Sequence, residues 1–85
     1  MGEKTMTLSV LEGEGLRTLG QRIRICRQIR GYRALDFAAL LGISQNYLSL
    51  IENDQGKRPS LPLLQRMGQA LGVTTSQLLG ETPLM

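Results

Sequence analysis

Histidine and tryptophan are absent from this 85-residue chain, and cysteine occurs once, as Cys26. Without histidine, the usual imidazole general base and the commonest nitrogen ligand of zinc are missing, which argues against most zinc sites and most His-dependent catalysis. One thiol permits no internal disulfide, a usage that fits a reducing cytoplasm. Aromatic residues make up 4% of the chain against 41% for all apolar types, so its core must be aliphatic. No apolar run approaches the length of a membrane span, and the first residues lack a basic start followed by an apolar block. Neither a membrane helix nor a secretory leader is therefore expected. No carboxylate pair, phosphate-cradling glycine loop or ligand cluster stands out, so no cofactor or metal is expected and an enzyme is the least supported class.

Charge is present but unevenly spread. The net +3 divides into −2 over residues 1–16 and +5 over residues 17–85, with six arginines between Arg17 and Arg33. By itself such a run is most simply a solvated helix face. Beside a groove-entering helix it becomes a phosphate-facing patch.

Past residue 16 the pattern predicts five short helices. Thr18 and Gln21 have the capping-box spacing and open a helix through about Arg30, with Leu19, Ile23, Cys26 and Arg27 facing inward and Gly31 ending it. Cys26, among Ile23 and Ile29, reads as a small buried apolar residue rather than a reactive thiol. A second helix is expected over Ala34 to Leu41 and a third from Gln45 to about Asn53. Asp54 to Pro59 form a polar turn suited to a phosphate backbone. Ser60 caps a fourth helix with Pro62 in its first turn, a buried stripe of Leu61, Leu64, Met67, Ala70 and Leu71, and Gly72 at its end. Thr74 and Gln77 repeat the capping box and open a last helix carrying Leu78 and Leu79.

The most informative stretch is Phe37 to Glu52, F-A-A-L-L-G-I-S-Q-N-Y-L-S-L-I-E. Phe37, Ala38 and Leu41 share one helical face, as do Tyr47 or Leu48 with Ile51. Between them Gly42 suits a left-handed helix end, Ile43 plugs the corner and Ser44 is a good N-cap. So short a turn sets two helices at a steep angle and leaves the second protruding. A protruding helix with a polar outer face can enter the major groove of DNA.

The tail, residues 1–16, holds the alternating pattern Thr5-Met6-Thr7-Leu8-Ser9-Val10-Leu11. Three readings stay open for it: a flexible end, a segment added for expression, or a strand pairing with its copy in a second subunit. The sequence thus divides into a tail over 1–16, a domain over 17–80 and a short C-terminal tail over 81–85.

From Leu19 through Leu79 the chain resembles the phage repressor and Cro type of helix-turn-helix, the XRE family. The resemblance rests on L-G-Q-R-I-R-I-C-R-Q-I-R-G, on the Phe37 to Glu52 run, and on R-P-S-L-P-L-L-Q-R-M-G-Q-A-L-G-V-T-T-S-Q-L-L, in the family's order and spacing. It implies an all-α fold, a compact five-helix lambda-repressor-like DNA-binding domain, and a homodimer acting on a palindromic operator in double-stranded DNA. Carried over position by position, it makes Gln45, Asn46 and Ser49 base-reading residues, an assignment that suits amides because they donate to and accept from the adenine edge. Ser44, Lys57, Arg58 and, more weakly, Arg33 are phosphate contacts. Tyr47 either reaches DNA through its hydroxyl or supports the helix from a partly buried position. Arg27 and Glu52 match positions that often form an ion pair tying the first helix to the third.

Three departures from the family pattern are visible. Arg33 and Ala34 replace a capping hydroxyl or Asn and a supporting Gln at the second helix. Leu50 stands where the family is commonly polar and can meet a thymine methyl or a partner protein. Asp54 places a negative charge in the loop, opposing phosphate unless it points away. The reading best supported is a sequence-specific DNA-binding transcriptional regulator, a repressor, in the cytoplasm. Its alternative is an antitoxin-like protein-interaction module on the same fold. The Leu78, Leu79 and Pro83-Leu84-Met85 stripe either forms a dimer interface or finishes the monomer core.

Overall fold

The computed structural model describes residues 17–56 and 58–81. The tail over 1–16, Lys57 and Pro83-Leu84-Met85 lie outside the described residues. The five expected helices are all present: α1 (Leu19–Ile29), α2 (Ala34–Leu41), α3 (Gln45–Glu52), α4 (Leu61–Leu71) and α5 (Thr75–Leu78). No strand occurs among the described residues, and no single described helix is long and apolar enough to cross a membrane.

Local chemistry accounts for where each helix begins. The Thr18 hydroxyl accepts from the Gln21 N–H at 3.2 Å while the Gln21 side chain accepts from the Thr18 N–H at 3.0 Å, a complete capping box. Thr74 and Gln77 do the same at α5, at 3.0 and 2.8 Å. Ser44 and Ser60 cap α3 and α4 by accepting from Tyr47 N–H and Leu63 N–H. Only α2 lacks a side-chain cap, because Arg33 occupies that place.

A left-handed glycine follows α1, α2, α4 and α5, and Asp54 takes that place after α3. Gly42 has φ +76° and closes α2, after which the Ile43 N–H returns to the Ala38 carbonyl at 3.0 Å. Ile43 is then drawn against the core, as expected for a corner plug.

The core gathers Leu19, Ile23 and Cys26 of α1, Phe37, Ala38 and Leu41 of α2, Leu48 and Ile51 of α3, and Leu63, Leu64, Met67 and Leu71 of α4, closed by Leu78. Of the two candidates on α3 it is Leu48 that is fully buried. Burial raises the pKa of the Cys26 thiol, against the charges of Arg22 and then Arg30, which act in the other direction. One helical assignment needs correction. Leu61 is 57% exposed and Leu63 is buried in its stead. Both residues fit a three-and-four spacing with the rest of the stripe, and at the N-terminal edge of α4 there is no preceding turn to hold Leu61 against the core. Leu78 is fully buried and finishes the monomer core, and Leu79 packs half-buried against it.

A close crossing fixes α1 on the end of α3. A Cβ at Gly20 would lie 2.4 Å from the Ile51 carbonyl oxygen and 2.7 Å from that of Glu52. Both are backbone atoms, which cannot swing aside as a side chain can. Asp54 completes the joint from a left-handed backbone (φ 56°): its carboxylate accepts from the Gly20 N–H at 3.0 Å and from the Thr18 hydroxyl. The acid sits at the N-terminus of α1, where unpaired amides and the helix dipole favour negative charge.

Gly20→Ala is expected to destabilise the domain by about 1 to 3 kcal/mol through overpacking, outweighing the ~1 kcal/mol that helix propensity offers alanine. Gly31→Ala meets no atom within 4 Å and suffers only its left-handed φ of +81°. It should cost about 1 to 2 kcal/mol. Urea melts of the two variants check this, and a Gly20→Ala protein as stable as wild type would refute the close crossing.

Candidate nucleic-acid interface

Helices α2 and α3 turn through 105° across Gly42, Ile43 and Ser44. The inner face of α3 is Leu48, Ile51 and Glu52, all buried. Its outer side presents Gln45, Asn46, Ser49 and Leu50, all exposed, with Asn53 continuing the stripe just past the helix. At 3.6 residues per turn, Asn46 and Leu50 fall on the line most nearly opposite the buried face. Tyr47 flanks this stripe, 38% exposed, so it is no core residue.

The attitude of α3 is set by a buried ion pair. Arg27 Nε donates to Glu52 Oε2 at 2.7 Å and Arg27 Nη2 to Oε1 at 3.0 Å, a two-pronged contact. The third guanidinium nitrogen, Nη1, donates to the Tyr32 carbonyl at 2.9 Å, tying the turn before α2 into the same node. The Glu52 side chain is only 3% exposed and that of Arg27 10%.

Sequence reasoning missed Arg24. Its Nε approaches Glu52 Oε1 at 3.5 Å and its Nη2 donates to Asn53 Oδ1 at 3.1 Å, while Asn53 Nδ2 donates to the Ser49 carbonyl at 2.8 Å and to its hydroxyl at 3.3 Å. A chain of contacts therefore runs from α1 to the outer face of α3. Arg24 lies one turn before Arg27 on the same helix, the only signal in the sequence that could have found it.

The arginine-rich stretch does not form one phosphate-facing patch. Arg22 is buried, 7% exposed, with its guanidinium against Gly80, where a Cβ would fall 3.1 Å from Nε. Arg30 Nε donates to the Leu71 carbonyl at 2.8 Å, over the end of α4. Together with Arg24 and Arg27, these side chains turn toward the C-terminal ends of α3, α4 and α5, where carbonyl groups and the helix dipole attract cations.

Of the remaining candidates, Arg33 pairs with Asp36 at 2.8 Å on an open surface; that hydrogen bond, then the attraction between the two charges, raises its pKa. Ser44 accepts from the Tyr47 N–H and keeps its own hydroxyl proton to donate. Arg58 is exposed next to buried Pro59. Asp54 faces the N-terminus of α1, not the outer side of α3, which answers the repulsion its sequence position suggested.

Two helices at a steep angle over a three-residue turn, the second with a polar outer face and braced from behind, define a helix-turn-helix protein. The chain belongs to the helix-turn-helix family HTH_3, of the phage repressor and Cro type, whose pattern matches residues 23–78. It is 35% identical over 63 residues to the HTH-type transcriptional regulator SinR of Bacillus licheniformis, a match covering 74% of this chain and 57% of that protein. It is 37% identical over 68 residues to the immunity repressor of Bacillus phage phi105, covering 80% of this chain and 46% of the repressor. The chain thus spans about half the length of these curated relatives. Among solved structures, SinR in complex with DNA superposes with a TM-score of 0.68 at 34% identity, over 73% of this chain and 98% of that one. The complex of SinR with SinI gives the same TM-score and identity, over 73% and 60%.

Removing one partner of the buried pair, by Glu52→Gln or Arg27→Met, should cost about 3 to 5 kcal/mol, because the other charge is left stranded. Replacing both with apolar residues should cost much less than the sum. A double-mutant cycle in denaturant reads the coupling, and additive losses would show that the pair does not act as a unit.

Proposed function

We propose that this chain is a sequence-specific DNA-binding transcriptional regulator, a repressor that acts as a homodimer on a palindromic operator. The observation that carries the reading is the exposed, uncharged polar face of α3, projected at 105° from α2 and braced from behind by Glu52 and Arg27. Membership of the helix-turn-helix family supports it, as does the likeness to a DNA-bound relative. Residues 17–80 are the DNA-binding unit, flanked by tails.

In this reading α3 lies in the major groove. Gln45, Asn46, Ser49 and Leu50 meet base edges. Ser44, Tyr47, Lys57, Arg58 and Arg33 hold the phosphates, with Arg33 the weakest because Asp36 already takes its charge. Ser49 contributes less than the amides, since its hydroxyl already accepts from Asn53. A protein partner on the same fold is the second reading. Leu35 and Leu40 favour it, standing exposed on α2.

Binding to random DNA should weaken with salt. With Lys57 and Arg58 each displacing one counterion, a fourfold rise in salt weakens binding about tenfold per monomer. Asn46→Ala or Gln45→Ala should cost about 1 to 3 kcal/mol on the selected operator and little on random DNA, whereas Lys57→Ala weakens both. Folded protein with no salt-sensitive DNA affinity would reject the regulator reading; equal losses on both DNAs would remove the amides from base readout.

The dimer places two copies of α3 about 34 Å apart, one turn of duplex. Sedimentation across a concentration series should show a monomer converting to a dimer, alone or on operator DNA. One monomer per operator at saturation would rule the dimer out.

A further inference from the structure

The outer face of α3 carries no cation. Its sequence, Gln-Asn-Tyr-Leu-Ser-Leu-Ile-Glu, contains neither Arg nor Lys, and its one acid, Glu52, is buried against α1. Guanine is read most often by a guanidinium or ammonium group on its O6 and N7, and cytosine by a carboxylate on its N4 amino group. Neither group is present at the exposed positions of this helix. Arg24 comes from α1 and meets this face only at its Asn53 end, with Nε and Nη2 directed at Glu52 and Asn53.

What the face does offer is an amide one turn before an aliphatic side chain. Asn46 is fully available, since no hydrogen bond engages its side chain among the described residues, and an amide matches adenine N6 and N7 in a bidentate manner. Leu50 is 38% exposed on a helix whose other apolar residues, Leu48 and Ile51, are buried. An exposed leucine on a face otherwise composed of polar groups gains nothing from water. Against the C5-methyl of thymine, the one apolar group that a base pair presents in the major groove, it is complementary.

We infer that Asn46 and Leu50 make α3 a reader of A·T pairs, with Leu50 as a specificity-determining residue for a thymine methyl. The inference rests on the DNA-binding reading above. It assigns the class of base pair at the centre of each half-site: adenine opposite Asn46, and thymine within reach of Leu50 about one helical turn, ~5.4 Å, further along the groove. The spacing between the two side chains sets the spacing between the two bases.

The test uses the full chain and the duplex recovered by selection from random DNA. Each thymine is replaced in turn by uracil, which removes the C5-methyl and keeps every hydrogen-bonding group. At one thymine per half-site, wild-type affinity should fall about fourfold, the value of one buried methyl, and the change should vanish in Leu50→Ala. Leu50→Ala should melt as the wild type does, since its side chain supports no part of the core. A tightly bound operator at which every thymine tolerates uracil would overturn this inference alone, as would selected half-sites with G·C pairs opposite α3. Failure to bind any DNA would overturn this inference together with the regulator reading.

Discussion

A single buried carboxylate organises the helix-turn-helix. Glu52 is the last residue of α3, and its two oxygens are bound by Arg27, whose remaining nitrogen reaches the Tyr32 carbonyl ahead of α2. Helix α3 is therefore fixed at its C-terminal end by charge and along its inner side by Leu48 and Ile51. A domain of this size has only a few kcal/mol of net stability, so a pair whose disruption costs about 3 to 5 kcal/mol sits near the threshold of folding itself. Such a pair adds little as a source of stability compared with an apolar substitute. What it adds is direction, because the fork of a guanidinium accepts one orientation of its partner.

The same helix extends this principle to the rest of the fold. Arg24 and Arg27 meet the end of α3, Arg30 meets the end of α4 and Arg22 lies against the glycine that follows α5. Helix C-termini expose carbonyl groups that need donors. α1 supplies one to the end of α4, from Arg30 to the Leu71 carbonyl, while its apolar side, Leu19, Ile23 and Cys26, lines the core. Much of the basic character that looks like affinity for an anion is thus internal architecture. In the proposed regulator, the groove-facing surface of α3 reads without charge and phosphate attraction comes from the loop after it.

Local signals were legible in the sequence and distant ones were not. Both capping boxes, the Ser44 and Ser60 caps and the glycine ends of α2 and α4 are decided within three or four residues, and each appears where the pattern placed it. The buried side of α3 followed from the same periodicity, whereas Gln45, Asn46 and Ser49 were singled out through the family resemblance and Leu50 as a departure from it. The Arg27 to Glu52 pair was reachable only through family resemblance, since 25 residues separate its partners. The burial of Arg22 and the backward turn of Asp54 had no local signature, because each depends on which helix end arrives beside α1, and Arg24 had only its place one turn before Arg27. Leu61 failed for a different reason: four apolar residues crowd the opening of α4, and periodicity alone does not choose between Leu61 and Leu63.

The guanidinium of Arg30 over Gly72 carries a consequence for substitution at that glycine. A left-handed helix end ordinarily tolerates asparagine as a substitute for glycine. Here a Cβ at position 72 would come within 2.6 Å of Arg30 Nη2, while Nε of the same side chain is bound to the Leu71 carbonyl. An asparagine there requires the far end of the Arg30 side chain to shift, which a flexible guanidinium can do where a backbone carbonyl, as at Gly20, cannot. Positions 30 and 72 are thereby coupled across 42 residues of chain. What a side chain at position 72 costs therefore depends on what stands at position 30, so the two positions share one piece of space at the end of α4.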